Sequence, residues 1–254
     1  MTKLAVITGA SGGLGSALAR LLALKKTPLL LTGRDELHLQ ALKEELQHLV
    51  PIECIRVDLS REIAILLDAI EKKEPDLLIH CAGFGTYGPL VNELHLGEMI
   101  DVNVKAAALI TQKMAQTLLR AQKPGIILNV SSAASFFSIP YFASYAASKS
   151  FVRVFSESVD AELQSQGIRV LTSSIGQIDT LFSTKAAGNP FKRKMGYVIS
   201  KEKAAQLLLK QIERKKRSQI CDFRYCILMF LAFFLPKTWI EKRLGEEILF
   251  RHRK

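Results

Sequence analysis

Short runs of apolar residues alternate along the chain with longer stretches in which apolar residues recur at helical spacing. The short runs predict strands at 3–8, 28–32, 51–57, 76–80, 125–131 and 168–174. The longer stretches predict helices at about 13–25, 35–48, 61–73, 97–121, 143–165 and 201–215. Because strands rich in Val, Ile and Leu alternate with helices, we expect an α/β fold with one doubly wound parallel sheet and helices on both faces.

The alternation continues without an internal repeat, a low-complexity tract or an interdomain linker. Residues 1–215 hold the predicted α/β unit, and residues 216–254 form a basic, apolar C-terminal extension that we expect to be helical. Residues 180–200, rich in Gly, Lys and Ser/Thr, predict an irregular loop that either covers a site or is a plain surface excursion. Since ligands of such sheets bind beyond the carboxyl ends of the strands, the loops after strands are the candidate site.

Composition agrees with a globular protein, because 48% of the residues are apolar and 23% are charged. A chain of 254 residues is long enough for one domain with a substantial core. The cysteines, which are Cys54, Cys81, Cys221 and Cys226, form no C-x-x-C pair and no metal-ligand spacing. We therefore expect reduced thiols, no bound metal and a cytoplasmic location. The apolar residues 4–7 follow the N-terminus directly, which predicts no signal peptide.

The net charge of +11 is confined to one end of the chain. Residues 1–191 contain 18 basic and 18 acidic residues, whereas residues 192–254 contain 17 and 6. The basic runs at 192–194, 214–217 and 251–254 are either solvated faces or a patch for an anionic surface. They belong to no recognisable nucleic-acid-binding module, so we expect no nucleic-acid partner.

Within the extension, residues 225–235 are 11 consecutive uncharged residues. A helix that spans a membrane needs about 20 such residues, so this segment is too short to cross a bilayer alone. Three interpretations remain: burial against the protein or a neighbouring subunit, a cover over the substrate entrance, and a peripheral membrane anchor through residues 220–254. The composition favours burial over the anchor.

A glycine-rich turn follows the first strand and opens the first helix. Gly9, Gly13 and Gly15 allow the backbone to approach a phosphate, and the helix presents N–H groups and its positive dipole end. A tight turn that binds nothing is the alternative. The second strand ends at Arg34. In dinucleotide-binding folds an acidic residue at this position would bind the adenosine ribose hydroxyls, whereas an arginine would contact a 2′-phosphate. This favours NADP over NAD, unless Arg34 only caps the strand in solvent.

Tyr145 and Lys149 lie four positions apart in a predicted helix, 13 residues after Ser132. Residues i and i+4 share one helix face, so the cation would lie near the phenol. A neighbouring positive charge favours the phenolate and lowers the pKa of the phenol, which makes it a suitable proton donor. Such a pair also arises by chance on solvated helix faces.

The glycine turn, Asn103, Ser132, Tyr145 and Lys149 occur in the order and spacing of the short-chain dehydrogenase/reductase family, which the chain resembles over about residues 1–215. Residues 82–89 resemble a bacterial branch of general short-chain dehydrogenases, whose members often carry a basic, apolar C-terminal extension. The resemblance implies a Rossmann-like fold, hydride transfer between NADP(H) and a carbonyl/alcohol substrate, and a homo-oligomer (dimer or tetramer). A catalytically silent NADP-binding module that docks through its C-terminus is the alternative.

The resemblance also implies site residues. The implied cofactor contacts are Gly9, Ser11, Gly12, Gly13, Leu14 and Gly15 at the pyrophosphate, Arg34 at the 2′-phosphate, Asp58 and Leu59 at the adenine, Ala82 and Gly83 at the adenine ribose, and Gly176, Ile178 and Thr180 at the nicotinamide. Tyr145 would donate the proton, Lys149 would hold the nicotinamide ribose and lower the phenol pKa, and Ser132 would polarise the carbonyl. Asn103 would support a water that links Lys149 to solvent.

Structural roles remain open for several of these side chains. Ser132 could cap backbone groups, Asn103 could bond a helix backbone, and Asp58 could begin the helix predicted at 61–73. Two departures from the family pattern are Cys81 in place of an asparagine and Ile175 in place of a proline. They put the rigidity of two loops in doubt and leave the implied catalytic groups intact.

Aromatic residues surround the implied nicotinamide site; they are Phe84, Tyr87, Phe136, Phe137, Tyr141, Phe142 and Phe182. An apolar pocket of this kind suits a hydrophobic aldehyde, ketone or acyl substrate. Packing into the core or an oligomer interface is the alternative for each aromatic residue.

Overall fold

One fully parallel sheet of seven strands organises the computed structural model, which describes residues 3–182, 186 and 198–252. The strands are β1 (Ala5–Thr8), β2 (Leu29–Gly33), β3 (Ile52–Arg56), β4 (Leu77–His80), β5 (Gly125–Ser132), β6 (Ile168–Ile175) and β7 (Ser218–Ile220). Their spatial order is β3-β2-β1-β4-β5-β6-β7. The predicted doubly wound, Rossmann-like sheet is therefore confirmed.

Helices cover both faces of the sheet. They are α1 (Gly13–Leu24), α2 (Glu36–Leu46), α3 (Ile63–Lys73), α4 (Leu96–Ile100), α5 (Ala106–Arg120), α6 (Ala143–Leu163), α7 (Lys201–Arg214), α8 (Phe223–Phe233) and α9 (Lys237–His252). Shorter turns of 3₁₀ helix span Leu90–Asn92, Ala133–Phe136 and Gln164–Gln166. The six predicted strands and six predicted helices all occur near their expected positions.

Alternate strand residues form two separate cores because successive side chains point to opposite faces of a strand. Ile7 and Leu31 pack with α1, α2 and α7 on one face, whereas Val6 and Leu30 pack with α3 and α5 on the other. Both faces are apolar, so the strands read as continuous apolar runs, as expected for a buried parallel sheet.

The order of the strands reverses at β1. The chain proceeds from β1 to β2 and β3 on one side, and then returns to place β4 on the other side of β1. Such a reversal leaves a crevice beyond the carboxyl ends of the strands, where α/β sheets bind ligands. Thr8, at the end of β1, lies opposite Thr32 and His80 at this edge.

Three features differ from the sequence-based expectation or extend it. A π-helical turn at Asp101–Lys105 separates α4 from α5 inside the single helix predicted at 97–121. The short strand β7 joins the sheet beyond residue 215, the predicted end of the α/β unit, and the division into two regions stays a prediction. The loop predicted at 180–200 and its basic run at 192–194 lie largely outside the described residues, which resume at residue 198.

The extension is helical, but one side of α8 is not buried against the rest of the described chain. Its exposed apolar residues are Phe223, Ile227, Phe230, Leu231 and Phe234. This face is therefore not buried against its own chain, while burial against a neighbouring subunit and the peripheral membrane anchor stay predictions. No helix in the described part of the chain has the length and apolar character needed to cross a membrane.

Candidate active site

A cleft of about 1730 Å³ opens at the carboxyl edge of the sheet. It brings together nearly all the residues that the sequence singled out. The predicted site residues that line it are Gly9, Ser11, Gly12, Gly13, Leu14, Gly15, Arg34, Leu59, Ala82, Gly83, Ser132, Tyr145, Lys149, Gly176, Ile178 and Thr180. Asp58 and Asn103 lie outside this lining and have other surroundings.

The glycine turn forms a cradle that side chains would fill. Gly9 has a φ of +68°, and a Cβ there would lie 2.9 Å from the backbone nitrogen of Ala82. A Cβ on Gly15 would lie 2.3 Å from the carbonyl oxygen of Gly9. Gly12 precedes α1 without a side-chain cap, and the first turn of α1 carries no acidic residue. The start of α1 therefore suits an anion such as a pyrophosphate.

Arg34 lines the cleft directly after β2. Its Nη1 pairs with Oε1 of Glu98 at 2.9 Å, and its guanidinium lies 5.9 Å from the ring centroid of Phe84. The next residue, Asp35, caps α2 by accepting a hydrogen bond from the His38 N–H. The residue that directly follows β2 is therefore the cation Arg34, whereas the carboxylate of Asp35 caps α2.

Tyr145, Ser132 and Lys149 meet on the opposite wall. Ser132 ends β5, and its hydroxyl accepts a hydrogen bond from the Ala134 N–H at 3.2 Å, which is the capping role left open by the sequence. Tyr145 and Lys149 lie on α6 and are both buried. The Lys149 ammonium lies 5.9 Å from the Tyr145 ring centroid and donates to the Val130 carbonyl at 3.0 Å.

Burial controls the protonation of this pair in the protein chain alone. Burial raises the pKa of Tyr145, and the neighbouring Ser132 hydroxyl opposes the rise. Burial lowers the pKa of Lys149 to about 8, and the Cys81 thiol opposes that change. The expected lowering of the phenol pKa is wrong here, because desolvation disfavours the phenolate more strongly than its surroundings favour it.

Asn103 lies behind the cleft wall, within the π-helical turn. Its Oδ1 accepts from the Phe84 N–H at 3.0 Å, while its Nδ2 donates to the Phe84 carbonyl at 2.8 Å and to the Ser148 hydroxyl at 3.0 Å. A Cβ on Gly83 would lie 3.0 Å from the Lys149 Nζ and 3.1 Å from the Asn103 Oδ1. Asn103 therefore ties the loop after β4 to α6 beside Lys149.

Asp58 has a local structural contact. Its Oδ1 accepts from the Ser60 N–H at 3.0 Å and from the Ser60 hydroxyl at 2.7 Å, just before α3. The Ser60 hydrogen bond lowers the pKa of this carboxyl. Asp58 therefore closes a local turn with Ser60 and does not begin α3, whose N-cap is Glu62, while Leu59 next to it lines the cleft.

The two departures from the family pattern are compensated by other bonds. After β4, the Ala82 N–H donates to the Thr8 hydroxyl at 3.2 Å, and that hydroxyl hydrogen-bonds His80 Nδ1 at 2.9 Å. After β6, the Gln177 N–H donates to the Tyr225 hydroxyl at 3.3 Å. Both loops are therefore attached to neighbouring elements without the asparagine or the proline.

Aromatic rings surround the phenol of Tyr145. Phe142 stacks on it with a centroid distance of 4.4 Å, and Phe182 lies at 5.5 Å. The aromatic residues predicted for this pocket that line the cleft are Phe84, Tyr87, Phe137, Phe142 and Phe182. Phe136 and Tyr141 do not line it, and Phe136 instead packs under the guanidinium of Arg153.

The C-terminal extension contributes lining residues that the sequence did not assign. Tyr225 lies so close to Gly176 that a Cβ there would be 2.0 Å from its ring, and Leu244 and Ile248 of α9 also line the cleft. Gly245 brings α9 against Pro140, where a Cβ would lie 3.1 Å from the proline ring. In the sequence, the i, i+4 spacing of Leu244 and Ile248 indicates that both lie on one face of a helix, but it does not show what that face contacts.

Comparisons with known proteins agree with this arrangement. The family model described as short chain dehydrogenase matches residues 3–190. An uncharacterized oxidoreductase of Myxococcus xanthus is 34% identical over 243 residues, which cover 92% of this chain and 93% of that protein.

Two solved structures have the same fold. A short-chain dehydrogenase from Sphingobium yanoikuyae in complex with NADPH superposes with a TM-score of 0.80 at 24% identity, covering 92% of this chain and 97% of the other. A short chain dehydrogenase/reductase from Burkholderia phymatum in complex with NAD gives a TM-score of 0.80 at 22% identity, covering 90% and 92%.

Proposed function

The chain belongs to the short chain dehydrogenase family, and we propose that it reduces a hydrophobic aldehyde, ketone or acyl compound with NADPH. The coarser part of this statement, an NAD(P)-dependent oxidoreductase, follows from the family. The preference for NADPH, the substrate class and the roles of individual residues are the proposal. The alternative of a catalytically silent module gains no support, because Ser132, Tyr145 and Lys149 converge in the cleft.

The cleft fits a nicotinamide dinucleotide. The cradle of Gly9 and Gly15 and the uncapped start of α1 suit the pyrophosphate, which Ser11, Gly12, Gly13 and Leu14 would also approach. All six further predicted contacts line the cleft: Leu59, Ala82 and Gly83 would lie along the adenosine, and Gly176, Ile178 and Thr180 would lie at the nicotinamide. When bound, the nicotinamide supplies the hydride.

Arg34 supports the preference for NADPH. The two similar structures contain NADPH in one case and NAD in the other, so they do not decide between the cofactors. Arg34 lines the cleft at the end of β2, where a 2′-phosphate would be contacted, and the adjacent acid Asp35 serves as a helix cap. Glu98 holds the guanidinium in place and would have to share it with the phosphate.

Reduction of a carbonyl develops negative charge on its oxygen, and the chain offers two hydroxyl donors there. Ser132 would hydrogen-bond the oxygen and Tyr145 would transfer its phenolic proton to it. The raised pKa of Tyr145 keeps this proton in place until charge develops. Lys149 would bind the nicotinamide ribose and place a positive charge near the resulting phenolate, while Asn103 positions the wall behind it.

The substrate end of the cleft supports an apolar substrate. Phe142, Phe182 and Tyr87 pack around Tyr145, and Ile248 of the extension is a buried apolar residue in the lining of the same cleft. A pocket with this composition binds apolar groups and leaves few polar groups to orient the carbonyl. The close approach of Tyr145 to Ser132 provides that orientation.

The single observation that carries the proposal is the convergence of Ser132, Tyr145 and Lys149 on one wall of a dinucleotide-sized cleft. With apolar ketones and aldehydes as substrates, we expect Tyr145→Phe to lower kcat by about 10³-fold, because the proton donor is lost. NADPH oxidation measures the rate. Tyr141→Phe, outside the cleft lining, is the matched control and should retain full activity. Equal rates for wild type and Tyr145→Phe would contradict the mechanism.

We also propose a cytoplasmic homo-oligomer. All four cysteines are free, which suits a reducing compartment. Phe151 and Val154 of α6 and Leu119 of α5 are exposed apolar side chains, which suits an interface formed through these two helices. Sedimentation of the purified chain measures its oligomeric state, and a monomer at high concentration would contradict this part of the proposal.

A further inference from the structure

The outer side of α8 carries an apolar strip. Its members are Phe223, Ile227, Phe230, Leu231 and Phe234, which are between 51% and 71% exposed. Their spacing of four, three, one and three residues places them on one side of a helix. Isolated exposed apolar residues are ordinary, but a contiguous strip of this kind marks an interaction surface.

The side of α8 opposite the strip packs, together with α9, against loops that border the cleft. Tyr225 of α8 contacts Gly176 and accepts a hydrogen bond from Gln177. Gly245 of α9 lies against Pro140, and Ile248 is 4% exposed. Because both helices are anchored to the loops around the candidate active site, whatever covers the strip also lies beside the cleft entrance.

The residues beside the strip combine an exposed indole with cations. Trp239 is 50% exposed, and the Arg243 guanidinium lies 5.8 Å from its ring centroid. Lys237 and Lys242 are also exposed, and Lys237 pairs with the half-buried Glu241 at 3.8 Å. Glu246 and Glu247 are exposed acids on the same helix. Indole rings and long basic side chains suit the boundary between lipid and water, where one end of each is apolar and the other polar.

We propose that the apolar strip docks on an anionic lipid surface, with Trp239, Lys237, Lys242 and Arg243 at the level of the headgroups. Charge favours lipid over a second copy of the chain, because the extension as a whole is basic. Residues 216–254 contain nine basic and four acidic residues, so two extensions that face each other repel. An anionic surface attracts the same charges.

Docking of this kind is peripheral and gives the cleft an entrance at the lipid surface. A helix whose apolar side is buried at the headgroup boundary lies in the plane of the membrane and does not cross it. Apolar substrates dissolved in the lipid would then reach Tyr225, Leu244 and Ile248 directly from it. The proposal goes beyond the reduction proposed above and requires no turnover for its test.

Flotation of the full-length protein with vesicles tests the proposal. Vesicles of equal parts phosphatidylcholine and phosphatidylglycerol are compared with vesicles of phosphatidylcholine alone. We expect the protein to float with the anionic vesicles, and high salt to release it. The double variant Phe223→Gln with Phe230→Gln should reduce the lipid partition coefficient by about tenfold or more, since two large apolar side chains no longer enter the lipid.

A matched control removes two exposed apolar side chains elsewhere. Leu24 and Leu37 are 65% and 84% exposed on α1 and α2, and the double variant Leu24→Gln with Leu37→Gln should float like wild type. Circular dichroism confirms that both double variants are folded. Failure of wild type to float, equal flotation with neutral vesicles, or an unchanged partition coefficient in Phe223→Gln with Phe230→Gln would each overturn the proposal. Conversion of a dimer to a monomer by that variant, without flotation of wild type, would identify a second copy as the occupant.

Discussion

The wall around Asn103 and the outer side of α8 lie near the same cleft but differ in what they bury. At Asn103, an amide that is 1% exposed makes three hydrogen bonds to Phe84 and Ser148. Along α8 and at its C-cap Phe234, by contrast, five apolar side chains face outward. A buried polar group is tolerated only when its bonds are made, so it fixes geometry, whereas an exposed apolar group adds little to folding and remains available for contact. The two regions therefore differ in what their mutation should change.

The largest effect on stability is expected at Asn103. Asn103→Leu leaves the part-buried N–H and carbonyl of Phe84 and the buried Ser148 hydroxyl without this partner, which should lower the free energy of unfolding by about 3 kcal/mol. Chemical denaturation measures the change. Asn92→Ala, an exposed asparagine in a 3₁₀ turn, is the control and should stay within about 0.5 kcal/mol of wild type. Equal stability of the two variants would mean that the Asn103 bonds do not hold this wall.

The next effect is a pH dependence of the activity, which is expected to arise from Lys149 in the buried wall. Since burial lowers the pKa of Lys149 to about 8, the ammonium loses its proton above that pH, and kcat/KM for NADPH should fall about tenfold per pH unit. Tyr145 does not account for this fall, because its pKa is raised. In Lys149→Arg the guanidinium stays charged, so the alkaline fall should disappear even if the maximum is lower. The same alkaline fall in both proteins would assign it to another group.

Cofactor preference is expected to depend on Arg34, which lies on the exposed side of the same cleft. Arg34→Ala should raise KM for NADPH about tenfold and leave KM for NADH unchanged, because only NADPH carries the charged group that Arg34 meets. Glu98→Gln should have the opposite, smaller effect of about threefold, since it removes a competing carboxylate from the guanidinium. Asp101→Asn, which removes an exposed acid paired with Lys105, is the matched control. Equal effects of Arg34→Ala on both cofactors would refute the assignment.

The smallest effect is expected on the apolar strip. Phe230→Gln should change the free energy of unfolding by no more than about 0.5 kcal/mol, because this side chain is 66% exposed and leaves little packing when removed. Thermal denaturation of the purified protein without lipid measures it. A loss comparable to that of Asn103→Leu would show that the strip is covered by protein, and would remove the contrast between the two regions.

Local patterns in the sequence determined most of the fold and most of the site. The periodicity of apolar residues located six of the strands and six of the helices, because the repeat of side-chain direction in a strand and in a helix is a local property of the backbone. The glycines of the turn and the positions of Ser132, Tyr145 and Lys149 were equally visible, since the turn follows a strand, Ser132 ends one, and Tyr145 and Lys149 lie one turn apart near the start of a helix. Residues at such positions converge once the parallel sheet forms, because the carboxyl ends of its strands share one edge.

Contacts between distant segments decided the remainder. The partners of Asn103, the pairing of Arg34 with Glu98 and the contact of Tyr225 with Gly176 join residues that no short window contains. The direction of the Tyr145 pKa shift was also inaccessible, because it depends on how much water the folded chain removes from the phenol. The sequence showed that α8 is apolar, but only the packing of α9 and Tyr225 at the cleft determined which side of that helix faces outward.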